Sequence, residues 1–406
     1  MKLDGVKVLD LSQFLPGPTV TQMMSDHGAE VIKIESVGVG EPTRDIGQRR
    51  DGRSVYFDCT QRGKKSITLN LKSSEGQSAF LRLAASADVV IESFRPGVAK
   101  RLGVDYSSIK TVKNDIIYAS ISAFGQSGPM EQNPAHDLAV EAFCGLLSCN
   151  VDAEDRPVIP AMPSADMLVA AQTLAGIAMA LFRRMETGEG DYLDMAMMDA
   201  VLSSMPNSMG AVFADKRSPT IKDERIWGGA AMYRIYETSD LKHIVLGGSE
   251  MKFAINLLSH LGRKDLIDLC REPPGPKQLP VVDFFKQIFR EKTQAQWVEE
   301  LGSLDICFAP VNDLRAALNL PQTRHREMVV LDSAQREHLG ISIKFENEPG
   351  SIRFESPELG EHPDIVKNGR LQQGRSKAVA EQWINIELIA PTLTMTTWKI
   401  GVDCHM

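Results

Sequence analysis

Short apolar strands alternate with helical segments along the first 200 residues, and this alternation restricts the chain to few folds. Strands are predicted at residues 6–11, 31–34, 66–71, 89–91 and 116–121. A helix is predicted at 18–27, ended by Gly28, and Ser74 with Gln77 has the spacing of a capping box at another helix start. Repeated strand–helix–strand units form a largely parallel sheet that binds ligands at the carboxyl ends of its strands. The sequence therefore predicts an α/β fold with a Rossmann-like large domain.

The alternation stops near residue 205, where we expect the large domain to be interrupted. Further strand-like and helix-like segments follow from Trp227 onward, which indicates a second, smaller α/β domain. Its helices are predicted at 250–262, 281–291 and 294–301. The predicted organisation is a large domain at 1–205, a linker at 206–226, a small domain at 227–330, a return segment on the large domain at 331–390, and a loose tail at 391–406.

Composition and charge exclude several classes of protein. The 406 residues are 43% hydrophobic, which is enough for a large core, and the net charge of −8 argues against nucleic acid as a partner. No apolar run of about 18 residues lacks polar interruption, and residues 1–5 lead directly into a strand, so we expect neither a membrane span nor a signal peptide. The six cysteines form no CxxC pair, which argues against structural zinc. We expect a soluble cytoplasmic enzyme.

The sequence contains no fingerprint for a nucleotide cofactor. The first predicted strand is followed by residues 12–18, which lack the spaced glycines of a dinucleotide-binding loop. Gly38 and Gly40 follow the second strand, but Glu41-Pro42 breaks the pattern. Neither a Walker motif, a GxSxG elbow nor an HExxH motif is present. We therefore expect activity without a nicotinamide, flavin or metal cofactor.

Asp166 stands at the start of an unusually apolar segment. Pro163 and Ser164 are typical of helix starts, and no charged side chain occurs from residue 167 to residue 182. In the first turn of a helix, free N–H groups and the helix dipole favour an ionised carboxylate. Such a carboxylate is a candidate nucleophile or proton acceptor, and an ordinary capping Asp is the alternative.

Several further motifs, in order along the chain, resemble one protein family. They include Gly28-Ala29-Glu30-Val31-Ile32-Lys33-Ile34-Glu35, Ile91-Glu92-Ser93-Phe94-Arg95-Pro96-Gly97, Arg101-Leu102-Gly103 and Leu359-Gly360-Glu361-His362. With others between residues 3 and about 370, they resemble the family III CoA-transferase superfamily, which includes formyl-CoA and carnitine CoA-transferases and α-methylacyl-CoA racemase. The resemblance implies an interlaced homodimer that uses a coenzyme A thioester as substrate.

The resemblance also implies roles for individual residues. Asp166 matches the aspartate that, in the transferases, attacks the acyl-CoA thioester and carries the acyl group as a mixed anhydride. Lys72, Phe94 and Arg101 match family positions around the CoA nucleotide, and they supply cations for the phosphates and an aromatic face for the adenine. An ordinary surface lysine is the alternative for Lys72. His136 and Glu250 resemble positions of the racemase.

Two enzymatic hypotheses follow, and the resemblance leaves both open. In the transferase, CoA moves between carboxylic acids through Asp166. In the racemase, His136 and Asp166 exchange the α-proton of a 2-methylacyl-CoA, with Glu250 in support. The transferase glutamine of the first loop is absent here, and the racemase Gly-His-Asp-x-Asn-Tyr pattern is only partly matched from Ala135 to Val140. We favour the transferase narrowly; a CoA-binding protein without activity is a remote third hypothesis.

Overall fold

The computed structural model describes residues 1–368, without the side chain of residue 368. The end of the predicted return segment, 369–390, and the predicted tail, 391–406, lie outside the described residues.

A six-stranded parallel sheet forms the centre of the larger part of the chain. Its strands are β1 (Lys7–Asp10), β2 (Glu30–Glu35), β5 (Lys65–Thr68), β6 (Val89–Glu92), β7 (Ile117–Ser122) and β8 (Asp191–Ala196), while β3 (Arg49–Arg50) and β4 (Arg53–Ser54) form a separate hairpin. The order across the sheet is β5-β2-β1-β6-β7-β8, and Leu9 of β1 pairs with Ile32 on one side and Val90 on the other. The predicted α/β class and parallel sheet are confirmed.

Helices cover both faces of this sheet because its central strands are apolar on both sides. They are α1 (Pro16–Asp26), α2 (Val55–Gln61), α3 (Ser74–Ala84), α4 (Val98–Arg101), α5 (Tyr106–Lys110), α6 (Asp137–Phe143), α7 (Leu146–Cys149), α8 (Ser164–Thr187), α9 (Met197–Ser203) and α10 (Gly210–Ala214). In β1, Val8 packs into the core cluster that contains Val169 of α8. Its neighbour Leu9 packs into the opposite cluster, which contains Phe80 of α3. The side chains of successive strand residues thus point to opposite faces of the sheet.

The start of α3 differs from the prediction. Its N-cap is Ser73, whose hydroxyl accepts the N–H of Gly76 at 3.2 Å, and Ser74 is already helical. The capping-box assignment of Ser74 with Gln77 was therefore wrong by one residue, because two adjacent serines offer the same capping hydroxyl.

Helix α8 is long, apolar and only partly covered. Met179, Phe182 and Met185 are 67%, 67% and 85% exposed. Within the described part of the chain, α8 is the one helix that is long and apolar enough to cross a membrane. Core helices of soluble proteins can have the same length and composition. The expectation of no such segment rested on polar interruption of the apolar runs, and in α8 Gln172 and Thr173 interrupt the run without making the helix too polar to span.

The smaller part of the chain is built on an antiparallel sheet of β9 (Tyr233–Glu237), β10 (His243–Gly247) and β11 (Phe308–Pro310). Three helices pack beside it, α11 (Met251–His260), α12 (Leu279–Ile288) and α13 (Gln294–Leu301). Its core is aromatic: Trp297 is buried against Phe289 and donates its indole N–H to the Phe289 carbonyl at 2.9 Å. The remaining elements are α14 (Leu314–Leu318), α15 (Pro321–His325), β12 (Val329–Leu331), β13 (Glu337–Leu339) and α16 (Asp364–Asn368).

Residues 351–362 run back along the large sheet and its first helix. The Ser351 N–H donates to the Asp26 carbonyl at 2.8 Å, and the Gly63 N–H donates to the Glu355 carbonyl at 2.7 Å. At the sheet edge, the His362 N–H donates to the Ser66 carbonyl of β5 at 2.9 Å. This late segment therefore covers part of an edge strand formed early in the chain.

Candidate active site

A cavity of about 910 Å³ lies beyond the carboxyl ends of β1, β6 and β7. The strand order reverses between β1 and β6, since β2 lies on one side of β1 and β6 on the other. Loops diverge at such a switch point and leave a crevice, which is where open α/β sheets bind ligands. The lining includes residues from the loops after these strands and from the starts of two helices: Gln13, Phe14, Ser93, Phe94, Arg95, Ser122, His136 and Asp166.

Asp166 lies in the first turn of α8, as predicted, but it is not a capping residue. The N–H groups at the start of α8 are accepted by side chains of α6. The Glu141 carboxylate accepts the Ser164 N–H at 3.0 Å, and Asp137 Oδ1 accepts the N–H groups of Ala165 and Asp166 at 2.8 and 3.1 Å. Within residues 1–368, the Asp166 carboxylate itself has no hydrogen-bond or ion-pair partner. It is therefore available to a ligand in the cavity.

The charge state of Asp166 differs from the expectation of a stably ionised carboxylate. Burial, followed by the negative charges of Asp137 and Glu141, raises the pKa of Asp166 to about 7. The helix dipole was expected to stabilise the anion, but α6 brings two acidic side chains to the same helix end. Asp166 therefore changes its charge near neutral pH.

His136 is brought into the same cavity as Asp166. It directly precedes α6 and is exposed, and its ring packs edge-on against Phe14 with ring centroids 5.6 Å apart. Phe14 has a positive φ of 63°, a conformation unusual for an aromatic residue, and its N–H donates to Glu41 Oε1 at 2.8 Å. The structure thus brings together two of the predicted catalytic residues, although their roles stay predictions.

A buried ionic network holds the first loop of the cavity in place. Lys33 Nζ lies 3.0 Å from Glu41 Oε2 and 3.6 Å from Asp10 Oδ1, and Lys64 Nζ lies 3.1 Å from Asp10 Oδ2. Although burial opposes it, the two lysines hold the pKa of Asp10 well below its ordinary value. Sequence reasoning missed this network, although Lys33 within the apolar strand predicted at 31–34 and Lys64 directly before β5 were a signal for it.

Glu92 fixes the loop on the other side of the switch point. This buried last residue of β6 accepts the Phe94 N–H at 2.6 Å and the hydroxyl of Ser120. Burial raises the pKa of Glu92 to about 7, against the effect of these two hydrogen bonds. The Ser93 hydroxyl accepts the Gln13 N–H at 2.9 Å and so joins the two loops. Sequence reasoning did not assign Glu92 a role.

A second cavity of about 490 Å³ lies beyond β1, β2 and β5. Lys72 and Phe94, two of the predicted CoA-binding residues, line it, and Gln13 and Phe94 line both cavities. The third, Arg101, is exposed at the end of α4 and lines neither cavity. A ligand with a polar head and a long arm can therefore extend from Lys72 past Gln13 and Phe94 toward Asp166.

Glu250 lines neither of these cavities. It directly precedes α11 in the smaller part of the molecule and is exposed to solvent. Glu250 therefore does not share the cavity lining with His136 and Asp166, and its supporting role stays a prediction. Among residues 1–368, no group of three His, Cys, Asp or Glu side chains is arranged to hold a metal ion.

The sequence profile of CoA-transferase family III matches residues 3–363. The chain belongs to CoA-transferase family III. Within this family, it is 31% identical over 332 residues to an acetyl-CoA:oxalate CoA-transferase of Acetobacter aceti, covering 80% of this chain and 85% of that protein. It is also 31% identical over 347 residues to an alpha-methylacyl-CoA racemase of Mus musculus, covering 82% and 84%. The family assignment is thus confirmed, and its relatives include both activities considered above.

The fold agrees with a solved structure of the same family. The structure of a CAIB/BAIF family protein from Brucella suis superimposes with a TM-score of 0.79 and 28% sequence identity. The matched region covers 90% of this chain and 98% of that one.

Proposed function

We propose that this family III member transfers CoA from an acyl-CoA to a free carboxylic acid, with Asp166 as the nucleophile. The observation that carries the proposal is the position of Asp166, whose carboxylate lines the cavity at the switch point and has no protein partner within residues 1–368. In its ionised form it attacks the thioester carbonyl. The carbon–sulfur bond breaks, the CoA thiolate leaves, and the acyl group becomes a mixed anhydride with Asp166.

The acceptor completes the exchange in two further steps. Its carboxylate displaces Asp166 from the acyl group and forms an anhydride of donor and acceptor. The bound CoA thiolate then attacks the acceptor carbonyl, which forms the new thioester and releases the donor as its carboxylate. No net proton, electron or water is consumed, and the proposal therefore includes no metal, flavin or nicotinamide.

CoA would lie across the two cavities. We assign its nucleotide to the cavity that contains Lys72 and Phe94, and its pantetheine arm to the passage past Gln13, where the two cavities share residues. The thioester then lies in the larger cavity, within reach of Asp166. Arg101 would contact the nucleotide only through movement of its exposed side chain.

A racemase is the second candidate, and one observation favours it: His136 and Asp166 line the same cavity. Two acid–base groups on opposite sides of an α-carbon are what proton exchange requires. The raised pKa of Asp166, about 7, also suits a group that both accepts and donates a proton at neutral pH.

Incubation with a panel of acyl-CoAs in deuterium oxide, with and without an acceptor acid, distinguishes these functions. A new thioester that forms only with the acceptor supports transfer. Deuterium at the α-carbon without an acceptor supports the racemase and contradicts our proposal. Binding of acyl-CoA with neither reaction would support the non-catalytic hypothesis.

We further propose that the protein is a cytoplasmic homodimer. Met179, Phe182 and Met185 of α8 are exposed, and Met179 lines a cavity together with Leu193 and Met195 of β8, which is an edge strand of the large sheet. An exposed apolar helix next to an edge strand is the kind of surface that a second copy covers. Sedimentation equilibrium of the parent and of Phe182→Glu tests this: we expect a dimer that the substitution weakens.

A further inference from the structure

Helix α6 presents an apolar stripe to the Asp166 cavity. Leu138, Ala139 and Ala142 line this cavity and are exposed to solvent, Leu138 to 39%. A helix turns about 100° per residue, so these three side chains lie on one face of α6. We call them the α6 stripe. The chemistry proposed above gives the α6 stripe no task, although it lies in the same cavity as the nucleophile.

The α6 stripe adjoins the helical turn that carries Asp166. The carboxylates of Asp137 and Glu141 accept the N–H groups of residues 164–166 at the start of α8. Each of these two carboxylates is followed in sequence by a residue of the α6 stripe, so the face of α6 that holds α8 and the apolar face are neighbours. An acyl chain that extends from the reacting carbonyl toward α6 therefore meets the α6 stripe.

Two further side chains extend the α6 stripe into an apolar wall. Leu147 of α7 and Met197, the first residue of α9, line the same cavity, and both helices pack against α6. Met197 is buried in the core cluster that also contains Val140 of α6. The apolar wall therefore consists of five side chains from three packed helices, with the protein core behind it.

The charges near the apolar wall disfavour an anionic acyl chain. The other ionisable residues that line the cavity, Arg95, Glu131 and His136, belong to the loops after β6 and β7 and not to the helices of the wall. A carboxylate on the α6 stripe would lose its water against apolar side chains and would lie near the negative charges of α6. A hydrocarbon chain meets neither penalty.

The α6 stripe also differs from the racemase pattern that this segment partly matches. In Gly-His-Asp-x-Asn-Tyr, asparagine and tyrosine follow the variable position, whereas this chain has Ala139 and Val140 there. Ala139 lines the cavity, and Val140 is fully buried. The polar amide of the pattern is thus replaced by a methyl group, which makes the α6 stripe apolar throughout.

We infer that the preferred acyl group is the apolar chain of a monocarboxylic acid, which lies along the α6 stripe while Asp166 attacks the thioester. This inference rests on the proposed transferase function and specifies its substrate class. Residues 138 and 142 are about 6 Å apart along the helix axis, and an extended chain advances roughly 1.2 Å per bond. The α6 stripe therefore accommodates about five carbon–carbon bonds, which is the length of a hexanoyl group.

The test compares kcat/KM for acetyl-CoA, butyryl-CoA and hexanoyl-CoA, with propionate as the common acceptor. For the parent enzyme we expect hexanoyl-CoA to exceed acetyl-CoA by on the order of 10–100-fold, since each buried methylene contributes about two- to fourfold. Succinyl-CoA, which has a carboxylate where butyryl-CoA has a methyl group, should react more slowly than butyryl-CoA. A parent enzyme that prefers succinyl-CoA or acetyl-CoA would overturn the inference.

Two substitutions change the α6 stripe in different ways. Ala142→Leu fills it, and Ala139→Asn places an amide on it; both positions are exposed, so neither change overpacks the core. Each should lower the ratio of hexanoyl-CoA to acetyl-CoA kcat/KM by about fivefold or more. Ala295→Leu and Ala295→Asn are the matched controls, because Ala295 is an exposed alanine of α13 that lines neither cavity. Their ratios should equal that of the parent.

Two results with the α6 variants would overturn the inference. An equal loss for both thioesters would indicate a general effect on the site. Weaker dimerisation of Ala142→Leu in sedimentation equilibrium, with the hexanoyl preference unchanged, would show that a second copy of the chain covers the α6 stripe.

A binding measurement keeps the test independent of turnover. Calorimetric affinities of the three thioesters for Asp166→Asn should rise with chain length, with a more negative heat-capacity change for hexanoyl-CoA because it buries more apolar surface. If the parent transfers no CoA, the proposed function fails, while a chain-length dependence that Ala142→Leu removes still supports the apolar acyl site. Affinities that do not depend on chain length would contradict it.

Discussion

Asp137→Asn offers a direct test of how the fold sets the reactivity of Asp166. The substitution removes one of the two negative charges that, after burial, raise the pKa of Asp166 to about 7. Asparagine keeps a side-chain oxygen that can accept the N–H groups of Ala165 and Asp166 as Asp137 Oδ1 does. The variant therefore alters charge while the cap of α8 is retained.

The expected change follows from the ionised fraction of Asp166. With a pKa of about 7, roughly one tenth of the carboxylate is ionised at pH 6 and roughly nine tenths at pH 8. Removal of one nearby like charge lowers such a pKa by about one unit. Transfer at pH 6 should then rise about fivefold, while the rate at pH 8 should change by less than about twofold.

The assay is initial-rate CoA transfer at saturating acyl-CoA between pH 5 and pH 9, in buffers of constant ionic strength. Glu189→Gln is the control, since it makes the same charge change in the exposed loop after the far end of α8. Its profile should coincide with that of the parent. An Asp137→Asn profile whose midpoint is unchanged or moves to higher pH would refute the electrostatic reasoning.

Four further outcomes are expected. Asp166→Ala should abolish turnover and leave CoA binding intact, and residual activity in the folded variant would contradict both enzymatic hypotheses. Because the pKa of Asp166 is raised in the folded state, the stability that its protonated form contributes is lost as pH rises from about 4 through about 7. At pH 8 the free energy of unfolding of Asp166→Asn should therefore exceed that of the parent by about 1–2 kcal/mol after allowance for solvent, which a thermal melt of both proteins measures. His136→Ala should slow transfer by roughly tenfold or less, with acyl–Asp166 still trapped by hydroxylamine, whereas a racemase would lose on the order of 10²–10⁴-fold. Activity should survive EDTA and extensive dialysis, and a requirement for an added metal or nucleotide would show that the site was misinterpreted.

The large sheet was predictable from sequence because local patterns determine it. Apolar residues are concentrated where the strands β1, β2 and β6, which are four to six residues long, form. The boundaries shifted by one to three residues: the strand predicted at 66–71 is Lys65–Thr68. The helix predicted at 18–27 is Pro16–Asp26, since prolines are favoured in the first turn of a helix. The apolar segment after Asp166 likewise predicted α8.

The chemistry of the site was less predictable because it depends on contacts between distant residues. The charge state of Asp166 depends on Asp137 and Glu141, which are 29 and 25 positions away in the sequence. The sequence pattern at 163–166 could show only the helix start. Similarly, the buried ion pairs of Lys33 and Lys64 with Asp10 become visible only when β2 lies beside β1 and β5 lies beside β2.

The return of residues 351–362 to the large sheet also orders the events of biosynthesis. The strands β1, β2 and β5 leave the ribosome within the first 70 residues, but the segment that donates to Ser66 follows almost 300 residues later. At bacterial or eukaryotic translation rates this interval is roughly 15–60 s. Throughout it the edge of β5 stays open, and open edges pair with other chains. A nascent chain that stalls in the small domain is therefore a species that chaperones must protect.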